Sequence, residues 1–258
     1  MTLNFTNYVN LGMTMKHFLL LAAAAGFLPV LIAKPSVVPY STVLTDLATV
    51  QEEIVHLHNY IRNSVFPEAR NMMKMSWNEE AAQNARIVSN NCDLAKSNAL
   101  KRRISNTFCG ENKHLTPHVI PWPQVIETWY NESMDFQYGY WSPVIEEKHD
   151  RYIQMVWASS YLIGCGVSPC CKTMSHQYLY VCHYCHEGNE PATKNQPYKM
   201  GNACEDCPNN CDNGLCTNPC IYYDEYTNCQ KLQRVHGCIQ RAVKMLCKAS
   251  CLCGTEIT

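Results

Sequence analysis

Seventeen cysteines and ten histidines dominate the chemistry that this 258-residue chain could carry. Cys182-His-Tyr-Cys185-His186 has the C-x-x-C-H spacing of haem attachment and loosely resembles a zinc knuckle. So short a pattern often matches by chance; its structural reading is a strand with two bridge anchors and a turn at Gly188. Cys204-x2-Cys207 has a zinc-type spacing. His56 and His58 fall on a helical stretch that sets them about 160° apart, so they cannot share a metal there and read as one surface and one boundary residue. Glu205, Asp206 and Asp212 make residues 204–219 acidic, with no Lys or Arg among them. That acidity could attract Ca²⁺, but no regular loop motif accompanies it, and a solvated turn is the simpler reading. Lys231, Arg234, Arg241, Lys244 and Lys248 follow with no acid between them. They suit the acidic mouth of a cation channel, or form an ordinary solvated face. Asn131-Glu132-Ser133 is a glycosylation sequon.

Composition narrows these options. The formal charge is -1, which argues against nucleic acid as a partner. Apolar residues make up 47% of the chain, enough for a packed core. Seven cysteines precede residue 204 and ten lie in 204–253, a density typical of disulfide scaffolds in exported proteins. The uncharged run 18–33 is 16 residues long. A spanning helix needs about 20 residues, so residues 1–33 read as a signal peptide with an extended leader. A buried helix or signal anchor is the alternative, and no other segment could span a membrane. The sequon at Asn4 lies in this leader.

Several elements must position the rest. Val50, Ile54, Leu57 and Ile61 recur at helical spacing and stop before Pro67. Ser76 and Glu79 have the capping-box pattern ahead of a second helix lined by Ala81, Ala85 and Val88. A third helix follows Pro123, with Ile126, Trp129 and Tyr130 clustered. Residues 161–167 and 177–184 read as strands. Helices first and strands later predict an α+β domain over 34–203. On the last stretch Ile239, Val243 and Leu246 share one helical face, with Arg241, Lys244 and Lys248 opposite.

CGEN at 109–112, WYNE at 129–132, YIQMVW at 152–157 and YVCHYCHEGN at 180–189 resemble the signature segments of the CAP superfamily. The ten-Cys tail is similar to that of the cysteine-rich secretory proteins. KMSWNEEAAQNAR and CTNPCIYYDEY look most like their epididymal, sperm-associated members. The resemblance covers about residues 45–253. It implies a three-layer α-β-α sandwich over 34–203, a disulfide-rich hinge over 204–219 and a small helical, toxin-like domain over 220–258. It implies the bridges Cys92–Cys170, Cys109–Cys185, Cys165–Cys182, Cys204–Cys211, Cys207–Cys216, Cys220–Cys253, Cys229–Cys247 and Cys238–Cys251. That pairing leaves no thiol for haem and leaves Cys171 over, beside Cys170, with which it could compete for Cys92. Six tail cysteines alone allow 15 pairings, so their spacing does not choose between them.

The resemblance also implies a cleft of two His and two Glu that can hold a divalent metal. Glu111 and Glu132 match the acids, but Lys96 and Arg151 stand where the histidines would be. Protonated Lys and Arg give a metal no lone pair, so the expectation is no metal, no cofactor and no catalytic residue. His149, two residues before Arg151, could substitute only from a shifted backbone register. The function implied is a secreted, non-enzymatic binding protein of the male reproductive tract. It would associate with sperm and act in capacitation or sperm–egg interaction, with egg-surface proteins and a cation channel as further partners. A CAP-type hydrolase or protease is the alternative, weakened because the general-base candidates have gone; lipid or sterol carriage by the sandwich is another.

Overall fold

The computed structural model describes residues 37–105, 107–140, 148–170, 177–186, 188, 189, 191 and 193–257. The leader with Asn4, and Cys171, lie outside them.

Helix α1 (Ala48–Asn63) turns Val50, Ile54, His58 and Ile61 inward at three- and four-residue spacing. It closes at Ser64, ahead of Pro67, where the Ser64 N–H donates to Ile61 O. There follow β1 (Ser76–Trp77), α2 (Glu79–Asn90), β2 (Arg103–Ile104), β3 (Thr107–Thr116), α3 (Trp122–Tyr130), α4 (Asp150–Met155), β4 (Leu162–Cys170) and β5 (Gln177–Cys185). The strands form one sheet in the order β1-β4-β5-β3-β2, antiparallel except for the β1–β4 pair. The capping box expected of Ser76 and Glu79 does not form. The Ser76 N–H is spent on Tyr161 O beside the sheet, and Asn78 caps α2 instead, its side-chain oxygen accepting from the Ala81 N–H at 2.9 Å. Glu79 and Glu80 then occupy the first turn, where the helix dipole favours acids.

Alternation along the strands sends Ile163, Cys165, Val167, Tyr180, Cys182 and Tyr184 to a face covered by residues of α1, α3 and α4. The opposite face carries Cys109, Cys170, Leu179, Val181 and Cys185, which pack with Ala81, Ala85 and Val88 of α2. Helices on both faces of a mixed sheet make the three-layer α-β-α sandwich. The α2 layer sits close: a Cβ on Gly164 would lie 2.2 Å from Ala82 N, and one on Gly166 2.5 Å from Arg86 N. Only glycine lets helix backbone approach strand backbone so closely.

The hinge packs against the sandwich. Its hairpin, β6 (Cys211–Asp212) and β7 (Leu215–Cys216), buries Leu215 in the main core and Cys216 against Met73 and Tyr161. The acidic turn stays open to solvent at Glu205 and Asp212, as expected, and is also ion-paired. Arg70 Nε reaches Asp206 at 2.5 Å, Lys199 reaches the same acid at 3.2 Å, and Lys74 bonds Asp212.

Three short helices end the chain: α5 (Cys229–His236), α6 (Arg241–Leu246) and α7 (Lys248–Leu252). Their shared core is Cys229, Val243 and Cys247, with Leu232 and Cys251 packed against it. The single apolar face expected of Ile239, Val243 and Leu246 is not present. Only Val243 is buried; Ile239 lies outside any helix and is fully exposed, and Leu246 is 39% exposed. Nor does one helix carry Arg241, Lys244 and Lys248, because the chain breaks between α6 and α7 at Cys247, which is bridged to Cys229.

Among the described residues, Cys92–Cys170, Cys109–Cys185 and Cys165–Cys182 are bonded in the sandwich, and Cys204–Cys211 and Cys207–Cys216 in the hinge. Cys220–Cys253, Cys229–Cys247 and Cys238–Cys251 hold the tail. A module this small cannot rely on apolar burial alone, and cross-links restrict its unfolded chain.

Candidate functional site

Glu132 is the second residue of the 3₁₀ turn, Asn131–Asp135, that follows α3. Its carboxylate is spent on the start of α4: Oε2 accepts from the Arg151 and Tyr152 backbone N–H groups at 2.9 and 3.1 Å, and Oε1 from Arg151 Nε at 2.5 Å. One side chain therefore both caps a helix and neutralises a cation. His149 does not replace the missing histidine. Its Nδ1 donates to the Glu132 backbone carbonyl at 2.8 Å, and its ring lies edge-on to Phe136. Asn112 donates to Arg151 O at 2.9 Å. His114, half-buried, has its pKa lowered by burial and then by the Arg151 charge.

Glu111 stands on β3 in register with His183 on β5. Its Oε1 accepts from the Ser97 N–H at 2.9 Å and lies 3.2 Å from Lys113 Nζ; Oε2 lies 3.2 Å from His183 Nε2. Burial alone would raise the Glu111 pKa. The bonds from His183 and Ser97, with the Lys113 charge, overcome it and hold the carboxyl at about 2. Burial lowers the His183 pKa, outweighing the pull of Glu111, so the ring is neutral and donates through Nε2.

The cation at Glu111 is thus Lys113 rather than Lys96. Lys113 is anchored by Asp93 O, Ala95 O and Ser97 Oγ, whereas Lys96 is exposed and ion-pairs with no described residue. His183 lies inside the C-x-x-C-H stretch and Lys113 just past CGEN, but neither motif joins them to Glu111; strand pairing does. Alternation along β3 turns Glu111 toward the α2 layer and Asn112, with its Arg151 contact, to the opposite face. Among the described residues the two acids share no hydrogen-bond partner.

These residues do not fit a metal. Every carboxylate oxygen of the pair already accepts from a cation, a ring N–H or a backbone N–H. The one group of three candidate metal ligands among the described residues is Cys204, Cys207 and Cys216. Their sulfurs are oxidised in bridges, so no thiolate is offered. Cys182 and Cys185 are bridged likewise, which removes haem attachment. His58, expected at a boundary, is fully buried. Its Nδ1 donates to Ile54 O at 2.8 Å and its Nε2 accepts from Tyr184 Oη at 3.0 Å; His56 is exposed.

Asn131 is exposed at the end of α3. Lys231 and Arg234 are exposed on α5, Arg241 and Lys244 on α6. Lys248 opens α7 and lines a groove of about 380 Å³ with Arg103, Ser105, Ile221, Tyr222 and Tyr223. No helix among the described residues is long and apolar enough to cross a membrane.

The family described as "Cysteine-rich secretory protein family" matches residues 55–184, and the one described as "Crisp" matches 204–258. Cysteine-rich secretory protein 1 of Macaca mulatta is 55% identical over 248 residues, covering 95% of this chain and all of the relative. Cysteine-rich secretory protein 2 of Cavia porcellus is 43% identical, covering 84% of this chain and 89% of the relative. In fold, the chain is similar to the crystal structure of NaASP2 with Zn²⁺, at a TM-score of 0.55 and 23% identity, over 66% of this chain and 96% of that one. With its sandwich, its bridged hinge and its three-helix tail, the chain belongs to the cysteine-rich secretory proteins of the CAP superfamily.

Proposed function

We propose that this secreted CAP-family protein acts by binding and not by catalysis. The observation that carries the reading is the state of the two acids that match the family's cleft. Each oxygen of Glu111 and Glu132 accepts from at least one internal donor. A general base must be poised to take a substrate proton; the Glu111 carboxyl is held at about 2 by its donors, and Glu132 is committed to Arg151 and the start of α4. What the molecule offers instead is a rigid, cross-linked exterior, on which recognition proceeds by shape and charge.

The partners follow from the family resemblance. They are the sperm surface, where the protein acts in capacitation, egg-surface proteins, and a cation channel met by the basic residues of the tail. The eight bridges and the lack of a spanning helix among the described residues support an extracellular site of action. Asn131, exposed at the end of α3, is a glycan acceptor in that setting. Incubation of the purified chain with a broad peptide library tests the first part: no cleavage is expected, and cleavage abolished by Glu111→Gln overturns it. Recording channel currents with the chain carrying Arg241→Glu, Lys244→Glu and Lys248→Glu tests the second; an undiminished effect removes those residues.

A further inference from the structure

Charge on this chain is segregated. Residues 226–255 hold five of its 21 Lys and Arg and none of its 22 Asp and Glu, so a segment of +5 is concealed in a formal charge of -1. The same segment leaves apolar side chains outside the fold. Ile239 is 101% exposed, Val235 66% and Met245 56%. The cause is size. Helices of eight, six and five residues enclose little more than Val243 and the bridged sulfurs, and the bridges hold the backbone without further apolar burial.

These exposed groups are close in sequence and interleaved with cations. Val235 lies in the last turn of α5 beside Arg234, and Ile239 occupies the connection to α6. Met245 stands about 160° around α6 from buried Val243, on the side that Arg241 shares one turn earlier. Lys244 flanks them. Exposed aliphatic and thioether groups amid Lys and Arg match the two demands of a bilayer interface; the carboxylate that shares a groove with Arg234, Asp224, is taken up by the Ser250 N–H and hydroxyl. Apolar groups enter the headgroup–acyl boundary, and cations meet headgroup phosphates. An acidic protein surface would answer the charges alone and leave Ile239 in water.

We propose that the α5–α6 edge of the tail docks peripherally on a phospholipid surface bearing anionic headgroups, with Val235, Ile239 and Met245 inserting and Arg234, Arg241 and Lys244 on the phosphates. This goes beyond the channel reading, since it needs no protein partner.

Sedimentation of the purified full chain with vesicles tests it. One set is phosphatidylcholine alone, the other phosphatidylcholine mixed with phosphatidylserine. Binding is expected to be at least about tenfold tighter to the anionic set and to weaken at high salt. Ile239→Ser should weaken it about three- to tenfold, since part of one aliphatic side chain leaves the interface. Arg241→Gln and Lys244→Gln should each weaken it about fivefold. The Ile239 side chain makes no core contact, so Ile239→Ser leaves the fold intact, and an unchanged disulfide map checks this. Equal weak binding to both vesicle sets overturns the proposal. So does anionic binding that Ile239→Ser and Val235→Ser leave unchanged, which would mark a general polyanion surface. A channel effect that survives in a chain unable to bind vesicles also overturns it as the basis of tail action, while leaving the channel reading intact.

Discussion

His183 Nε2 donates to Glu111 Oε2 across the β3–β5 ladder at 3.2 Å, and both side chains are withdrawn from solvent, at 0% and 2% exposure. The pair joins a neutral ring to an ionised acid in a place where either could have done chemistry. Each satisfies the other instead, and Lys113 completes the neutralisation. The arrangement ties stability to pH.

Glu111 ionises at about 2 when folded, against an ordinary value of 4.5. Its contribution is complete above 4.5 and is lost as the pH falls toward 2. The histidines act higher. Burial, opposed by the bond to Ile54 O, lowers the His58 pKa from 6.5 to about 4, and burial lowers His183 in the same direction. The unfolded chain therefore takes up protons first as the pH drops below 6.5. For His58 alone the loss by pH 4 is on the order of 3 kcal/mol. Urea midpoints measured against pH should decline through this range before the carboxylates titrate. His58→Gln should flatten the upper part of the decline. A midpoint constant from neutrality down to pH 4.5 would contradict the buried neutral state of both rings.

Arg62 is a second test of the interior. It is 1% exposed and donates to five backbone carbonyls, those of Met73, Met155, Trp157, Ala158 and Ser160, at 2.8–3.0 Å. Burial lowers its pKa to about 9, so it remains charged at neutral pH, solvated by the chain itself. Arg62→Met should cost about 4 kcal/mol or more, since it strands several buried acceptors. Arg62→Lys should recover only part, having three donors and no fork. Thermal melts of the three chains are the measurement, and a loss below about 1 kcal/mol for the methionine variant would show that water replaces the guanidinium.

Legibility in the sequence divides along physical lines. Period and composition make the helices and the two long strands readable: Val50, Ile54 and Ile61 mark α1, and the Tyr- and Val-rich stretches mark β4 and β5. The Asn78 cap was obscured by a better-known pattern two residues earlier, and only the sheet's claim on the Ser76 N–H decides between them. Glu111 and Glu132 are visible through their motifs, but their partners are not. Lys113 and His183 meet Glu111 through a ladder joining residues far apart in the chain. Arg62 carries no local sign of burial, because its partners are carbonyls, which have no sequence signature. In the tail, helical periodicity assigned Ile239 to an inner face, yet the disulfides that divide the segment into short helices put it outside.

Gly164 tests the closeness of the sandwich layers. A methyl group there would meet the Ala82 N, the Ala81 carbonyl carbon and the Asn78 oxygen, all within 2.6 Å and all backbone. No side chain can move aside, so α2 must lift from β4. Gly164→Ala should cost about 3 kcal/mol. Gly254→Ala, with open space around it, should be neutral within about 0.5 kcal/mol. Chemical denaturation of both variants measures the difference, and equal effects would mean that α2 rides on the sheet with slack.

Zinc binding reports on the cleft itself. A family geometry of two His and two Glu suggests that Lys96→His with Arg151→His would restore a metal site, but the hydrogen bonds here say otherwise. Arg151→His frees only one oxygen of Glu132, since Oε2 still accepts from two backbone N–H groups of α4. Lys96→His places a ring on an exposed loop, while Glu111 stays held by Lys113, Ser97 and His183. Titration calorimetry with zinc should therefore give less than one ion per chain for the unaltered protein and little gain for the double variant. Adding Lys113→Met removes one cation from Glu111, but Ser97 and His183 still hold that acid on the face turned away from the Arg151 contact, so little further gain is expected. One tightly held zinc in the unaltered chain, lost in Glu132→Gln, would mean that the ion pair with Arg151 yields to a metal and that the pair is too weak to close the cleft.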